Sequence, residues 1–237
     1  MNEIRGLIFD KDGTLFDFHR TWAAWGAGLI LRLAGNDPAA ARRLAVGLGF
    51  DLDAVAFLPD SPLIAGTLEV LVEAVLRLLP GWDEAALRRL VLEETEAIRP
   101  VEITPLGPLL ARLRAAGLRL GVATNDAESP ARAHLASAGV LDAFDFVAGY
   151  DSGFGAKPGP GMLDAFCAAT DLAPGACAML GDSLHDLKAA RAAGMAAVAV
   201  LSGPSGEDEL RGHADVVLPD IAALPDWLDL PRQAQQR

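Results

Sequence analysis

Asp10-Lys11-Asp12-Gly13-Thr14-Leu15 sets two carboxylates two residues apart, directly after the apolar run Leu7-Ile8-Phe9. A run that short, ending in a Gly-containing turn, predicts a buried strand whose tip presents side chains. Alternation puts Asp10 and Asp12 on one face of such a strand and points Lys11 the other way. Two like charges held together are costly unless a metal or a substrate neutralises them. One carboxylate of such a pair can attack phosphorus and form an aspartyl phosphate. The other can protonate the leaving oxygen and later take a proton from water. Further polar residues stand at comparable places: Thr124 and Asn125, Lys157, Asp182 and Asp186. Thr124 offers a hydroxyl and Asn125 a backbone N–H to phosphate oxygens, and Lys157 offers a compact positive charge. Asp182 opens a helix with Asp186 one turn on, so both can face the strand tips. With Asp10 and the Asp12 carbonyl they form an oxygen-only set suited to a hard octahedral cation, Mg²⁺. No His/Cys cluster in the sequence competes for zinc.

The elements that must position these groups fall into two patterns. From about residue 17 to 100 the signals are helical throughout. Trp22, Trp25, Leu29 and Leu33 make one helical face, ended by Gly35-Asn36. Asp37-Pro38 and Ser61-Pro62 each read as an N-cap followed by a helix start. Ile64, Leu68, Leu71, Val75 and Leu79 form a further stripe stopped by Pro80-Gly81, and a last helix from about Asp83 carries Leu87, Leu90, Val91 and Ile98. Such stripes predict helix–helix packing.

From Arg99-Pro100 strands and helices alternate. Strands are expected at Leu118–Ala123, Phe144–Ala148, Ala176–Leu180, Ala196–Leu201 and briefly at Asp215-Val216-Val217. Between them, helices are opened by Thr104-Pro105, Ser129-Pro130, Lys157-Pro158-Gly159-Pro160-Gly161 and Ser183. Alternation of this kind predicts a doubly wound, Rossmann-like parallel sheet with helices on both faces. The first strand belongs to that sheet. The expected division is therefore an α/β core of residues 1–16 and 101–237 with an inserted helical cap of residues 17–100. Ligands of such sheets bind outside the carboxyl ends of the strands, where the polar residues gather.

Bulk properties narrow the function classes. The 237 residues are 51% hydrophobic and 22% charged, ample to bury a core. A net charge of −12 argues against nucleic acid and against a polybasic membrane anchor. The longest apolar run, Ala192 to Leu201, is too short to span a bilayer. Cys167 and Cys177 lie in apolar surroundings, as buried thiols of a reduced, cytoplasmic protein would. Met1-Asn2-Glu3-Ile4-Arg5 leads straight towards the first strand, so no signal peptide is expected.

Four motifs together resemble the haloacid dehalogenase superfamily along essentially the whole chain. Asp10-Lys11-Asp12-Gly13-Thr14 matches the first, Asp-x-Asp-Gly-Thr. Leu120 to Asn125 matches the second, an apolar strand ending in Thr, and Lys157-Pro158 the third. Gly181-Asp182-Ser183-Leu184-His185-Asp186 matches the fourth, Gly-Asp-x-x-x-Asp. The helical insertion is similar to the family's type 1 cap. The resemblance implies Asp10 as nucleophile, Asp12 as acid/base, and Thr124 and Lys157 as phosphate ligands. It implies Asp10, Asp12 and Asp182 around Mg²⁺, with Asp186 behind the metal or positioning Lys157. His185 falls at a variable position and is expected to face solvent or pair with an Asp. His134 and His213 receive no role.

The implied activity is that of a Mg²⁺-dependent phosphomonoesterase similar to phosphoglycolate phosphatases, acting on a small molecule as a monomer or homodimer. A sugar phosphomutase of the β-phosphoglucomutase type shares all four motifs and stays open. So does a phospho-accepting signalling receiver, which carries its Asp on a central strand and has no large insertion after strand one. Dehalogenases and phosphonatases lack the Asp at position 12. His19 and Arg20 are candidates to reach a substrate carboxylate or second phosphate, or simply begin a solvated helix. Asp17-Phe18 departs from the family's frequent Ser at this point.

Overall fold

The strand β1 (Gly6–Phe9) is buried along its whole length. Leu7 and Phe9 enter one core with Leu120, Val122, Leu180 and Val198, while Ile8 enters another with Phe166, Met179 and Leu187. A strand covered on both faces needs an apolar residue at every position, hence the unbroken run in the sequence. The structure, a computed structural model, describes residues 3–35, 37–59, 61–64 and 66–230. Asn36, read above as part of a helix end, and residues 231–237, assigned to the core, lie outside the described residues.

After β1 come α1 (Phe18–Leu33), α2 (Pro38–Leu48), the short strands β2 (Phe50–Asp51) and β3 (Ala56–Phe57), α3 (Leu68–Leu78) and α4 (Glu84–Glu96). These elements share a core of their own that includes Trp22, Leu29, Leu44, Phe57, Val75 and Leu87. Asp37 caps α2 as expected, accepting from the Ala39 N–H, and the structure adds Asp17 and Asp83 as caps of α1 and α4, accepting from the N–H groups of Arg20 and Ala86.

Two expectations for this stretch fail. Ser61-Pro62 opens no helix; the Ser61 hydroxyl donates to the Leu48 carbonyl and accepts from the Leu63 N–H, closing a turn, and α3 starts only after Thr67. Nor is the stretch all helical. Gly49 ends α2 in the left-handed region (φ 64°), and β2 and β3 pair antiparallel behind it. The Asp51 carboxylate accepts from the N–H groups of Asp53 and Ala54, forming the turn, and the rings of Phe50 and Phe57 meet edge to face at 4.9 Å.

The rest alternates as expected: α5 (Leu106–Ala115), β4 (Arg119–Ala123), α6 (Glu128–Ser137), β5 (Phe146–Ala148), α7 (Gly161–Thr170), β6 (Cys177–Gly181), α8 (Leu184–Ala193), β7 (Ala196–Val200), α9 (Glu207–Leu210), β8 (Val216–Leu218) and α10 (Leu224–Trp227). The sheet order is β5-β4-β1-β6-β7-β8 and every pair is parallel. Counting core strands alone, this is 3-2-1-4-5-6, the doubly wound order whose direction reverses between β1 and β6. Ligand crevices open at that reversal, outside the strands' carboxyl ends. Because β1 is itself central, strand position does not separate a hydrolase from a signalling receiver; the long insertion does. The two thiols, Cys167 and Cys177, are buried with their sulfurs 3.9 Å apart, and burial pushes Cys177 up to about 12, a setting for inert packing.

Gly121 on β4 lies under the Phe166 ring of α7: a Cβ there would sit 2.6 Å from Phe166 Cδ2. Gly121→Ala should cost about 1–3 kcal/mol by overpacking. In urea unfolding, the Gly121→Ala/Phe166→Leu double variant should lose less than the sum of the single losses. Strict additivity would contradict this packing account.

Candidate active site

β1 ends at Phe9 and delivers Asp10 to the reversal point, where the Asp10 N–H still donates to the Leu180 carbonyl of β6 (2.8 Å). β6 delivers Asp182 one residue beyond its own end, and the first turn of α8 brings Asp186. Ligand oxygens of Asp10, Asp182 and Asp186 lie within 4.8 Å of one another. Lys157 Nζ donates to Asp10 Oδ1 and Asp186 Oδ1, both at 2.6 Å. The other Asp186 oxygen accepts from the Ser183 hydroxyl (2.6 Å) and Ser183 N–H (3.1 Å), a reciprocal cap on α8. Gly13, at φ 79°, passes so close to the Asp182 carboxyl that a Cβ would strike it.

Charge explains the pKa values. Burial, opposed by Lys157 and reinforced by Asp186 and Asp12, raises Asp10 to about 7. Burial, with the charges of Asp10 and Asp186 added, lifts Asp182 well above the usual carboxylate range. Burial works against the Lys157 ammonium, yet Asp10 and Asp186 hold its pKa above the ordinary lysine value. One ammonium thus faces three carboxylates. An all-oxygen, net negative cluster of this kind fits a hard divalent cation, and the donor set contains no sulfur or imidazole.

Asp12 is not in that cluster; its side chain turns to a different set of partners. Trp22 Nε1, from α1, donates to Asp12 Oδ1 (2.7 Å), and Lys11 Nζ donates to Asp12 Oδ2 (2.5 Å). Strand alternation, which pointed Lys11 away, does not hold here. The Lys11 carbonyl accepts from the N–H groups of Leu15 and Phe16, so the chain is already turning. Lys11 is wholly buried, lies 3.3 Å from Asp126 Oδ2, and sits over the Trp22 ring at 5.2 Å. It also donates to His134 Nδ1 (3.1 Å), leaving His134 Nε2–H to donate to the Thr95 carbonyl of α4 (2.7 Å). Burial, then the Lys11 charge, push His134 down to about 4, so it is a neutral imidazole. Lys11, Trp22 and His134 were missed as site residues. A Lys between the two Asp residues was visible; that α6 would bring His134 to it was not.

Thr124 follows β4, is 2% exposed, and accepts from the Asp126 N–H (3.0 Å), which leaves its own O–H free to donate elsewhere. The Asn125 side chain braces Lys157, accepting from its N–H (2.8 Å) and donating to its carbonyl (3.0 Å). His185 is exposed, as expected, and pairs with no Asp; its Nδ1 lies 3.2 Å from the same Lys157 carbonyl. His19 and Arg20 are exposed and do not line the cavity. That cavity, about 120 Å³, runs from Asp10, Thr124, Lys157 and Asp182 up to Phe18, Trp22, Phe57 and Leu71.

A family model described as haloacid dehalogenase-like hydrolase matches residues 4–194. A phosphoglycolate phosphatase of Nitrosospira multiformis is 30% identical over 231 residues, 92% of each chain. One of Rhodospirillum rubrum is 39% identical over 129 residues, 54% of each chain. The solved structure of CbbY from Rhodobacter sphaeroides with phosphate superposes with a TM-score of 0.67 at 24% identity, covering 96% of this chain and 100% of that one, a likeness of fold. No helix among the described residues is long and apolar enough to cross a membrane.

The buried His134 makes a pH prediction. An unfolded His takes up its proton near pH 6.5, the folded one only near 4. Between these values the unfolded state binds more protons, so stability falls as pH drops. Urea unfolding at pH 7 and pH 5 should show a loss of about 2 kcal/mol from this residue. His134→Gln, which keeps a donor and an acceptor, should lack that increment; an equal pH slope in both proteins would contradict it.

Proposed function

We propose that this chain, which belongs to the haloacid dehalogenase-like hydrolase family, is a Mg²⁺-dependent phosphatase that hydrolyses a small-molecule phosphomonoester through an aspartyl phosphate on Asp10. The observation that carries the reading is the convergence of Thr124, Asp10 and Asp182 at the ends of three adjacent strands, with Lys157 bonded to Asp10. The phosphoglycolate phosphatases of Nitrosospira and Rhodospirillum supply the comparison.

In the first step an Asp10 oxygen attacks phosphorus and the bond from phosphorus to the alcohol oxygen breaks. Asp12 gives the departing oxygen its proton. The Asp12 carboxylate then takes a proton from water, whose oxygen attacks phosphorus; the bond to Asp10 breaks, and inorganic phosphate leaves with Asp10 restored. The Thr124 hydroxyl and the Asn125 N–H bind phosphate oxygens, and Lys157 stabilises the charge that develops on them. Asn125 and His185 fix Lys157 by its backbone, and Asp186 fixes its ammonium. Asp10, Asp182 and the Asp12 carbonyl would hold the Mg²⁺, with Asp186 behind them. Bound there, the ion supplies Lewis-acid stabilisation of phosphoryl oxygens. Residues 17–100 act as the cap that closes the cavity from water. A mutase would also need partners for a second phosphate dianion, and among the described residues lining the cavity the cap contributes no cation, which favours hydrolysis.

Removal of metal with EDTA should abolish turnover and added Mg²⁺ should restore it, with Asp182→Ala inactive in both; full activity after demonstrated metal removal would contradict the cofactor assignment. An aryl phosphate separates the two N-terminal carboxylates, because its good leaving group needs little proton donation. Asp12→Asn should release a burst of phenol near one equivalent per site. It should then turn over about 10²–10⁴-fold more slowly than the native chain. Intact mass should show a phosphate adduct that hydroxylamine removes. Asp10→Asn should give neither burst nor adduct. Absence of both in Asp12→Asn would withdraw the acid/base assignment.

A further inference from the structure

We infer that the alcohol esterified in the substrate has an apolar body, aromatic or branched aliphatic, and carries no carboxylate or sugar hydroxyls. This rests on the phosphatase reading above and concerns the part of the substrate beyond the phosphate. The cavity has two unlike ends. Its charged lining residues, Asp10, Asp12, Asp126, Lys157 and Asp182, all come from core loops. The opposite wall comes from α1, β3, α3, α4 and the segment before α3. There Phe18, Trp22, Trp25, Phe57, Leu71 and Val91 face the space. Among the described lining residues this wall holds no cation and no carboxylate.

Its few polar groups are already engaged. The Thr95 hydroxyl donates to the Leu92 carbonyl, the Thr67 hydroxyl bonds Glu69, and the Trp22 N–H is held by Asp12. The Trp25 N–H is buried without a hydrogen-bond partner, a single donor that cannot stand in for a cation. The arginines of the surrounding helices look outward: Arg32 pairs with Glu94, Arg77 with Glu73, and Arg88 with Glu69 and Glu84. Lys157, the lining ammonium, is shared between Asp10 and Asp186.

An ionised carboxylate carried into this chamber would lose its water, meet aromatic and aliphatic carbon, and lie near the charges of Asp12 and Asp126. Burying such a group unpaired is strongly unfavourable. Sugar hydroxyls would likewise give up water for a wall whose unpartnered side-chain donor, among the described residues, is the Trp25 N–H alone. Methylene and aromatic groups gain on the same transfer, by about three- to fourfold in binding per methylene buried.

The test uses the whole chain with Mg²⁺ and n-alkyl phosphates from ethyl to hexyl. Their leaving groups have nearly the same basicity, so chemistry stays constant while apolar length grows. Phosphoglycolate, glucose 6-phosphate and benzyl phosphate complete the panel. The expected result is a rise in kcat/KM of about three- to fourfold per methylene until the chamber is full. Benzyl phosphate should exceed phosphoglycolate by 100-fold or more. Leu71→Gln, on the apolar cap wall and away from the groups that handle phosphate, should flatten the series; should it fail to fold, the native series decides alone. A flat series, or phosphoglycolate or the sugar phosphate as the better substrate, overturns the inference while leaving the phosphatase reading intact. If the folded, Mg²⁺-loaded chain hydrolyses no phosphomonoester, an aryl phosphate included, the phosphatase reading itself fails and this inference with it.

Discussion

Asp10, Asp182 and Asp186 are held within 4.8 Å of one another in a site almost closed to water, and their mutual repulsion is the constraint around which the rest is arranged. Two unit charges 4 Å apart repel by about 4 kcal/mol even at an effective dielectric constant of 20. A single ammonium at 2.6 Å from two of them offsets part of this and leaves the cluster net negative. Lys157 must therefore be held firmly. Asn125 clamps its N–H and carbonyl, His185 approaches the same carbonyl, and Ser183 occupies the other Asp186 oxygen so that Asp186 keeps facing it. The sheet contributes through its order. Only at the reversal between β1 and β6 do two adjacent strands end with the crevice open above both, and those strands carry Asp10 and Asp182.

A second buried charge works differently. Lys11 touches Asp12, Asp126 and His134 and lies against the Trp22 ring, so it joins the turn after β1 to α6 and to the helices of the insertion. A buried ammonium is tolerated only when its donors are used, and here they are. The neutral His134 completes the set because its protonated form would have no lone pair to offer Lys11. The acid/base candidate is thus positioned by a tryptophan and a lysine rather than by the residues that gather round Asp10.

Most of the core was legible because local and global signals agree in it. Apolar runs bounded by Gly and Pro gave strands within a residue or two of β4, β6 and β7, and in the insertion Asp37-Pro38 gave the start of α2. The polar residues at strand ends were legible for the same reason: each follows its apolar run at once. What was not legible depended on distance or on a broken rule. Ser61-Pro62 carries a helix-start pattern, but the Ser hydroxyl finds the Leu48 carbonyl instead. The Phe50–Phe57 hairpin is only two residues long on each side, below what alternation can register. Lys11 was misdirected because strand geometry stops at Phe9, and the partnership of Lys11 with His134 spans 123 positions of sequence.

The insertion leaves and rejoins the core at one place. The Asp17 N–H donates to the Val101 carbonyl, the Ile103 N–H donates to the Leu15 carbonyl, and Phe16 and Glu102 form an antiparallel bridge. Seen from the sheet, everything between these residues is a hairpin loop whose two stems are already joined. Lengthening a loop with fixed ends adds little entropy cost, since that cost grows only with the logarithm of length. The helices in between answer to their own core around Leu44 and Val75 and touch the chemistry through a few side chains such as Trp22. On the proposed function, their wall can accordingly change its residues, and with them the molecules admitted, without altering a strand register or moving Asp10. Such an arrangement would separate the question of what is recognised from the question of what is done to it, and the two could be altered one at a time.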